Sequence, residues 1–288
     1  MELAGGSWVW SSSLRYLFTL PFLIGIVWFR GNMMELIKEM KVRPWAWVGW
    51  STVGFGLFYA PLCLAAASGP AWFIAGSWQI TIVAGVLLTP FFYKNANLKQ
   101  GGKRERHAIP VRELVTSVFI LLGVGLLQYQ NEGTVEAGSL WSFIPVLVAA
   151  FAYPLGNRKM MEICQGRLDV YQRVLGMTMA SLPFWMVISL YGVHTVGAPS
   201  YGQTVQAFTV AILSGIIATM LFFYATDRAK GDIKKLAIVE ATQAGEVVFT
   251  VWGEALFLSA AMPAGWPLVG MIIIIAGMVL HSIGVKKS

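Results

Sequence analysis

Apolar stretches of about 20 residues recur along this chain of 288 residues. A membrane-spanning helix needs about 20 apolar residues to cross a hydrocarbon core about 30 Å thick. Glycine, proline or charged residues separate one stretch from the next. The sequence therefore predicts an all-α integral membrane protein with nine transmembrane helices, at about residues 8–29, 45–68, 70–93, 112–130, 139–157, 171–194, 205–226, 236–258 and 265–285.

The low content of charged residues supports this class. Only 12% of the residues are charged and 57% are hydrophobic, whereas soluble domains contain about a quarter charged residues. In a soluble protein, a net charge of +7 would suggest a nucleic-acid partner. In a membrane protein such an excess belongs to cytoplasmic loops. We therefore expect a lipid bilayer around the chain and no nucleic-acid partner.

The basic residues lie on one side of the predicted membrane. Twenty of the 21 fall in the linkers 30–44, 94–112, 158–173 and 228–235 or in the C-terminal tail, and Arg15 is the exception. These are alternate connections, so they share a side, which the positive-inside rule makes cytoplasmic. The pattern predicts a multi-pass cell-membrane protein with a cytoplasmic C-terminus and an external N-terminus. Residues 31–44 are either a short interfacial helix or a loop.

The two halves of the chain share short motifs in the same order. Residues 57–60 (LFYA) resemble 222–225 (FFYA), and the predicted helices that carry corresponding motifs cross in opposite directions, as in the inverted repeats of many transporters. We therefore predict a first repeat of four helices over 1–137 and a second of five over 138–288. The other matching pairs are 1–6 with 161–166, 19–22 with 181–184, 77–79 with 241–243, and 120–127 with 274–281.

Three further motifs carry a family resemblance. They are GGSWVWSSSLRY at 5–16, AFAYPLGNRKM at 150–160 and WGEALF at 252–257. With these motifs the chain resembles the EamA-like branch of the drug/metabolite transporter superfamily and, more narrowly, the putative multidrug resistance efflux transporter family. The resemblance implies ten helices in two inverted five-helix repeats, with both termini cytoplasmic. Against that pattern we expect this chain to lack the first helix.

Acidic and amide residues gather on the eighth predicted helix. At about 100° per residue they share one face, and ionisable groups at membrane depth are candidates for function because they are costly there. Glu246 lies near the middle, where a carboxyl group suits the exchange of a proton for a cation, although a structural carboxyl is the alternative. Glu240 and Glu254 lie nearer the two ends, and Glu254 belongs to the family's GE motif. The candidates on this helix are Glu240, Gln243, Glu246 and Glu254.

The first and third predicted helices add four candidates. Arg15 lies within a span, and a buried arginine calls for a carboxylate partner. An ion pair with Glu254 or Glu246 and a contact with substrate are both open. Gln79 is the repeat-mate of Gln243 and shares a helix face with Trp72. Aromatic rings such as Trp72 and Trp78 suit a lipophilic cation, but tryptophans also anchor helices at membrane interfaces.

These features together favour a secondary transporter. We expect export of lipophilic or cationic small molecules by proton exchange, with export of amino acids or other metabolites as the alternative. A truncated product that does not transport is a further alternative, and a homodimer is an open one. No clustered catalytic constellation or paired metal-ligand spacing is found in the sequence. We therefore predict no enzyme activity, no metal and no cofactor.

Overall fold

The structure is a computed structural model, and it describes residues 6–68, 71–92, 109, 111–127, 137–229, 232, 235, 236, 238, 239, 242, 245–258 and 264–284. It divides into two compact units. The first comprises residues 1–67 and 152–227, and the second comprises residues 68–151 and 228–288. Each unit therefore contains segments from both halves of the chain.

The first unit is built on long apolar helices. They are α1 (Trp8–Phe29), α3 (Pro44–Ser51) continuing through a π-helical turn (Thr52–Gly56) into α4 (Leu57–Ser68), α9 (Val170–Thr195), and α10 (Tyr201–Val210) continuing through a second π-helical segment (Ala211–Ala218) into α11 (Thr219–Arg228). Helix α1 packs against α9 and α10, and α3 packs against α9. Trp47, Trp185 and Phe223 are fully buried in its core. All four continuous helices are long and apolar enough to cross a membrane.

A short helix, α2 (Met33–Val42), occupies the first basic linker. Of the two alternatives predicted for residues 31–44, the helix is the correct one. Polar contacts join it to the segment before α9: Arg167 Nη2 donates to Glu39 Oε1 at 2.6 Å, and Arg167 Nε donates to Glu39 Oε2 at 3.0 Å. The Gln172 side chain donates to Asn32 O at 2.8 Å. Bidentate arginine–carboxylate pairs have defined geometry, so α2 is held in one orientation on this unit.

Helix α8 (Ala137–Cys164) is longer than the predicted span 139–157. It continues through Arg158 and Lys159, and Lys159 Nζ pairs with Glu162 Oε2 at 2.8 Å, one turn further on. This (i, i+3) pair lets the basic segment stay helical after the apolar stretch ends. Cys164, which the sequence places in a loop, is the last residue of this helix and is buried.

The second unit contains shorter helices. They are α5 (Ala71–Trp78), α6 (Ile80–Leu87) with a 3₁₀ turn at Thr89–Phe91, α7 (Val111–Leu127), the first part of α8, α12 (Gly245–Leu258) and α13 (Trp266–Gly284). The predicted span 70–93 is thus two helices with Gln79 between them. Thr81 Oγ1 donates to Ala150 O at 3.0 Å and joins α6 to α8. Three apolar helical stretches of 10–17 residues lie here, Ile74–Leu87, Ser117–Leu126 and Trp266–Gly277.

The packing of α7 against α13 depends on glycine. A methyl group on Gly123 would lie 2.8 Å from Gly270 O and 2.8 Å from Ile274 Cγ1. A methyl group on Gly277 would lie 2.8 Å from Ile120 Cγ1. In the matching motifs 120–127 and 274–281, Ile120 corresponds to Ile274 and Gly123 to Gly277. The two contacts are therefore reciprocal, as across a two-fold axis.

The described elements are all helices, and their length and apolar character make the chain an integral membrane protein of the α class. The count of nine spans stays a prediction, because four of the described helices meet the length and composition expected of a complete span. Exposed phenylalanines such as Phe249 and Phe257 on α12 fit a lipid-facing surface.

The glycine contact makes a prediction about stability. We expect Gly123→Ala to lower the thermal unfolding midpoint in detergent by several degrees, because overpacking against a backbone carbonyl costs about 1–3 kcal/mol. Gly125→Ala is the matched control on the same helix, since nothing lies within 4 Å of its added methyl group. Equal midpoints for the two variants would show that α7 and α13 are not in this close contact.

Candidate functional site

Arg15 lies inside the first unit, on the second turn of α1. Its side chain is 6% exposed, and it shares a buried helix face with Ser11, Ser12 and Thr19, as predicted. Arg15 Nη2 donates to Ser214 Oγ at 3.1 Å. Ser214 belongs to the second π-helical segment, so the charged group of one helix contacts a hydroxyl 199 residues away in the sequence.

Two tyrosine rings lie against the guanidinium. Arg15 Cζ lies 4.0 Å from the centroid of the Tyr59 ring and 5.4 Å from that of Tyr16. The Tyr16 ring is stacked on Trp185, with centroids 4.5 Å apart and planes 15° apart. Both Arg15 distances are within the range of cation–π attraction, which stabilises a desolvated cation by about 2 kcal/mol. We refer to Arg15, Tyr16, Tyr59, Trp185 and Ser214 as the Arg15 cluster.

Two nitrogen atoms of Arg15 have no hydrogen-bond partner among the described residues. Nε and Nη1 are buried, and no acceptor within hydrogen-bond distance is found for them in the described part of the chain. No carboxylate of the first unit's described residues forms an ion pair with this guanidinium. Arg173 in the same unit also has two such nitrogen atoms, Nε and Nη2, but its guanidinium pairs with Asp227 and lies 5.1 Å from the Phe223 ring. Arg15 is therefore a buried cation whose charge the described residues of this unit compensate with aromatic rings and one hydroxyl group.

The two π-helical segments lie next to this cluster. The first contains Phe55, whose ring centroid is 5.2 Å from that of Tyr16, and it ends one turn before Tyr59. The second supplies Ser214 and Gly215, and a methyl group on Gly215 would lie 3.6 Å from Arg15 Nε. π-Helical turns are uncommon and recur at functional sites. Two of them beside one buried charge mark the Arg15 cluster as the candidate site of this unit.

The second unit holds Gln79 and the tryptophans predicted with it. Gln79 is fully buried between α5 and α6, and its Nε2 donates to Ala75 O at 2.9 Å. This bond satisfies the Ala75 carbonyl group near the helix break, so Gln79 has a structural role. Trp78 is also buried. Trp72 lies in α5, but its side chain is outside the part that the structure describes.

The acidic candidates are on or near α12. Glu246 lies in the first turn of this helix and its side chain is exposed. The buried face of α12 is formed by Val247 and Val251. Glu240 and Gln243 lie outside the described residues. Glu254 belongs to α12, but its side chain is outside them as well. The predicted polar stripe and the ion pair of Arg15 with Glu254 therefore stay predictions.

The sequence did not indicate several members of the Arg15 cluster. Ser214 and Gly215 lie in an apolar stretch, AILSGIIA, that reads as an ordinary span. Tyr59 belongs to the repeated motif LFYA, so the repeat was the available signal for it. Tyr16 ends the motif at 5–16 and Trp185 lies in a predicted span, and nothing in the residue pattern shows that their rings stack.

Comparison with known proteins identifies the family. Residues 1–287 match the family described as "Putative multidrug resistance efflux transporter" (EmrE). The chain is 55% identical to the uncharacterized protein YjlA of Bacillus subtilis over 283 residues, which are 98% of this chain and 87% of that protein. It is 48% identical over 260 residues to an uncharacterized 42.1 kDa protein of Shouchella clausii, covering 90% of this chain and 68% of that protein.

A solved crystal structure shows the same fold. It superimposes with a TM-score of 0.67 at 12% sequence identity and covers 99% of this chain and 90% of that chain. At this identity the likeness concerns the fold alone. The family match extends over nearly the whole chain, and the long apolar helices fit it. The chain therefore belongs to the putative multidrug resistance efflux transporter family, the narrower of the two that its motifs resemble.

Proposed function

We propose that this protein is a secondary transporter that exports small organic molecules in exchange for protons. The observation that carries the proposal is the Arg15 cluster, a desolvated charge with unfilled hydrogen-bonding capacity inside helices that are long enough to span a membrane. Charged groups at this depth are costly and are found where substrates or ions move. The family supplies the class of activity, and the cluster supplies a place where a solute could be recognised.

Glu246 is the group that we propose to carry the proton. It is a carboxyl group on a mostly apolar helix, and it lies outside the buried face formed by Val247 and Val251. A carboxyl group in a membrane-spanning helix can gain and lose a proton when water reaches it from one side of the membrane or the other. Glu240 and Gln243 precede it on the predicted polar stripe and would extend the same path.

The inverted repeat is the proposed basis of the movement. Many transporters alternate access by moving one repeat against the other. The reciprocal contacts of Ile120 with Gly277 and of Ile274 with Gly123 support such a repeat, because a two-fold axis relates corresponding residues in this way. The motifs 19–22 and 181–184 lie on α1 and α9, which also pack against each other.

Two substrate classes remain in the proposal. Lipophilic or cationic drugs suit the aromatic residues and the acidic residues of α12. Amino acids and other metabolites suit a site that offers a positive charge. Both classes use the same fold and the same proton exchange.

The proposal predicts substrate-dependent proton movement. In proteoliposomes with an acidic interior, we expect an external substrate to raise the internal pH, as protons leave in exchange for it. The panel contains ethidium, benzyltrimethylammonium and benzenesulfonate, which are permanently charged and cross lipid poorly, together with phenylalanine. Protein-free vesicles are the control. If no member of the panel moves protons above that control, the proposed exchange is wrong for these classes.

Glu246→Gln separates coupling from folding. We expect this variant to lose the pH change, because an amide cannot carry the proton, while it still exchanges labelled for unlabelled substrate. The matched comparison is Glu39→Gln, which removes a carboxylate from α2 rather than from a predicted span. Proton movement at the wild-type rate in Glu246→Gln would remove this residue from the mechanism.

The orientation is open to a direct test. We expect reporter fusions after Ser288 to show a cytoplasmic C-terminus and fusions within 131–138 to show an external loop, because the basic linkers define the inner side. A cytoplasmic signal from the 131–138 loop would contradict the map.

A further inference from the structure

We propose that Arg15 recognises the anionic group of the transported molecule, which makes organic anions of the carboxylate type the preferred substrates. The inference rests on the proposed transport function and specifies its substrate class. Tyr16 and Tyr59 would hold the apolar part of the same molecule. The sequence favours cations from its acidic residues, so the structure points to a different chemistry at the site that it describes best.

Arg15 has buried hydrogen-bond donors that the described residues do not satisfy. A guanidinium has five N–H donors in a planar fork that matches a carboxylate. Among the described residues, only the Ser214 hydroxyl accepts from this group, at Nη2, while Nε and Nη1 are buried without an acceptor. Leaving a buried charged donor unsatisfied is costly. A carboxylate bound side-on to Nε would satisfy that donor and neutralise the charge.

Arg173, a second buried arginine of the same unit, differs from Arg15 in its charge partner. Both arginines are nine-tenths buried or more, and both lie against aromatic rings of the same unit. Arg173 has a carboxylate of its own, Asp227, and the pair joins α9 to α11. Both guanidinium groups keep two buried nitrogen atoms without an acceptor among the described residues. The two arginines therefore differ in the carboxylate, which Arg173 has and which the described residues of the first unit do not supply to Arg15.

Gly215 lets the second π-helical segment approach α1 closely beside Arg15. A methyl group on Gly215 would clash with Thr19 Oγ1 and lie 3.6 Å from Arg15 Nε. A larger side chain at 215 would therefore displace Thr19 and crowd the guanidinium. The π-helical segment Ala211–Ala218 places Gly215 and Ser214 at this point together. The rings of Tyr16 and Tyr59 hold the cation by attraction without using its N–H donors.

The test measures binding to the purified full-length protein in detergent by titration calorimetry. Four probes share one ring and differ in the group it carries: benzoate and benzenesulfonate are anions, benzamide is neutral, and benzyltrimethylammonium is a cation. We expect the wild type to bind the two anions in preference to the other two. Arg15→Gln should weaken anion binding at least about tenfold, because a charge-assisted hydrogen bond is lost. Arg15→Lys should retain part of it.

The matched control is the double variant Arg173→Gln/Asp227→Asn. It removes a buried arginine and its partner from the same unit without leaving a single charge behind, and it should bind the anions as the wild type does. Stability provides a second readout that does not depend on the probe. The ligand-free Arg15→Gln protein should unfold at the wild-type midpoint or above it, because an unpaired buried charge is removed.

Several results would overturn the inference. They are wild-type affinity for the anions in Arg15→Gln, stronger binding of benzyltrimethylammonium or benzamide than of the anions, and the absence of anion binding by the wild type. A lower midpoint in Arg15→Gln that Glu254→Gln restores would show a structural ion pair instead. Failure of the transport proposal is distinct: anions would bind at Arg15, but no substrate would move protons in vesicles.

Discussion

The hydrocarbon core of a bilayer offers no hydrogen-bond partners, and the helical packing and the buried polar contacts of this chain depend on that constraint. Backbone groups must be satisfied within helices, and helix association depends on close packing and small residues rather than on a hydrophobic effect. Gly123 and Gly277 allow such close packing between α7 and α13. Gly54 and Gly156 do so in the first unit, where a methyl group on Gly54 would lie 3.2 Å from the Gly156 backbone.

The same constraint applies to Arg15, whose charge is buried away from water. A charge that loses its water must be compensated, and the first unit supplies two aromatic rings and one hydroxyl group for this cation. The hydroxyl comes from a π-helical segment, whose irregular turn brings Ser214 and Gly215 to the guanidinium. Thr219 Oγ1 donates to Ser214 O at 2.7 Å and so satisfies a carbonyl group at this irregular turn. The buried charge and the irregular helical segment thus lie next to each other.

The sequence predicted the elements better than the contacts. The helical class, the burial of Arg15 beside Ser11, Ser12 and Thr19, and the family all follow from apolar stretches and motifs. The π-helical segments could not be predicted, because one extra residue per turn leaves no mark in a stretch that is apolar all round. The break at Gln79 was missed for the same reason. The Ser214 partner of Arg15 lies 199 residues away, and residue spacing does not report such a pairing.

The most direct test of the account is whether Cys63 becomes accessible in the folded protein. Cys63 follows Tyr59 by one turn of α4 and is buried. If the Arg15 cluster lies on a transport path, a maleimide should modify Cys63 in a Cys164→Ser variant under native conditions, and benzoate should slow the reaction. Modification of Cys63 only after unfolding, with or without benzoate, would show a closed structural core and contradict the account.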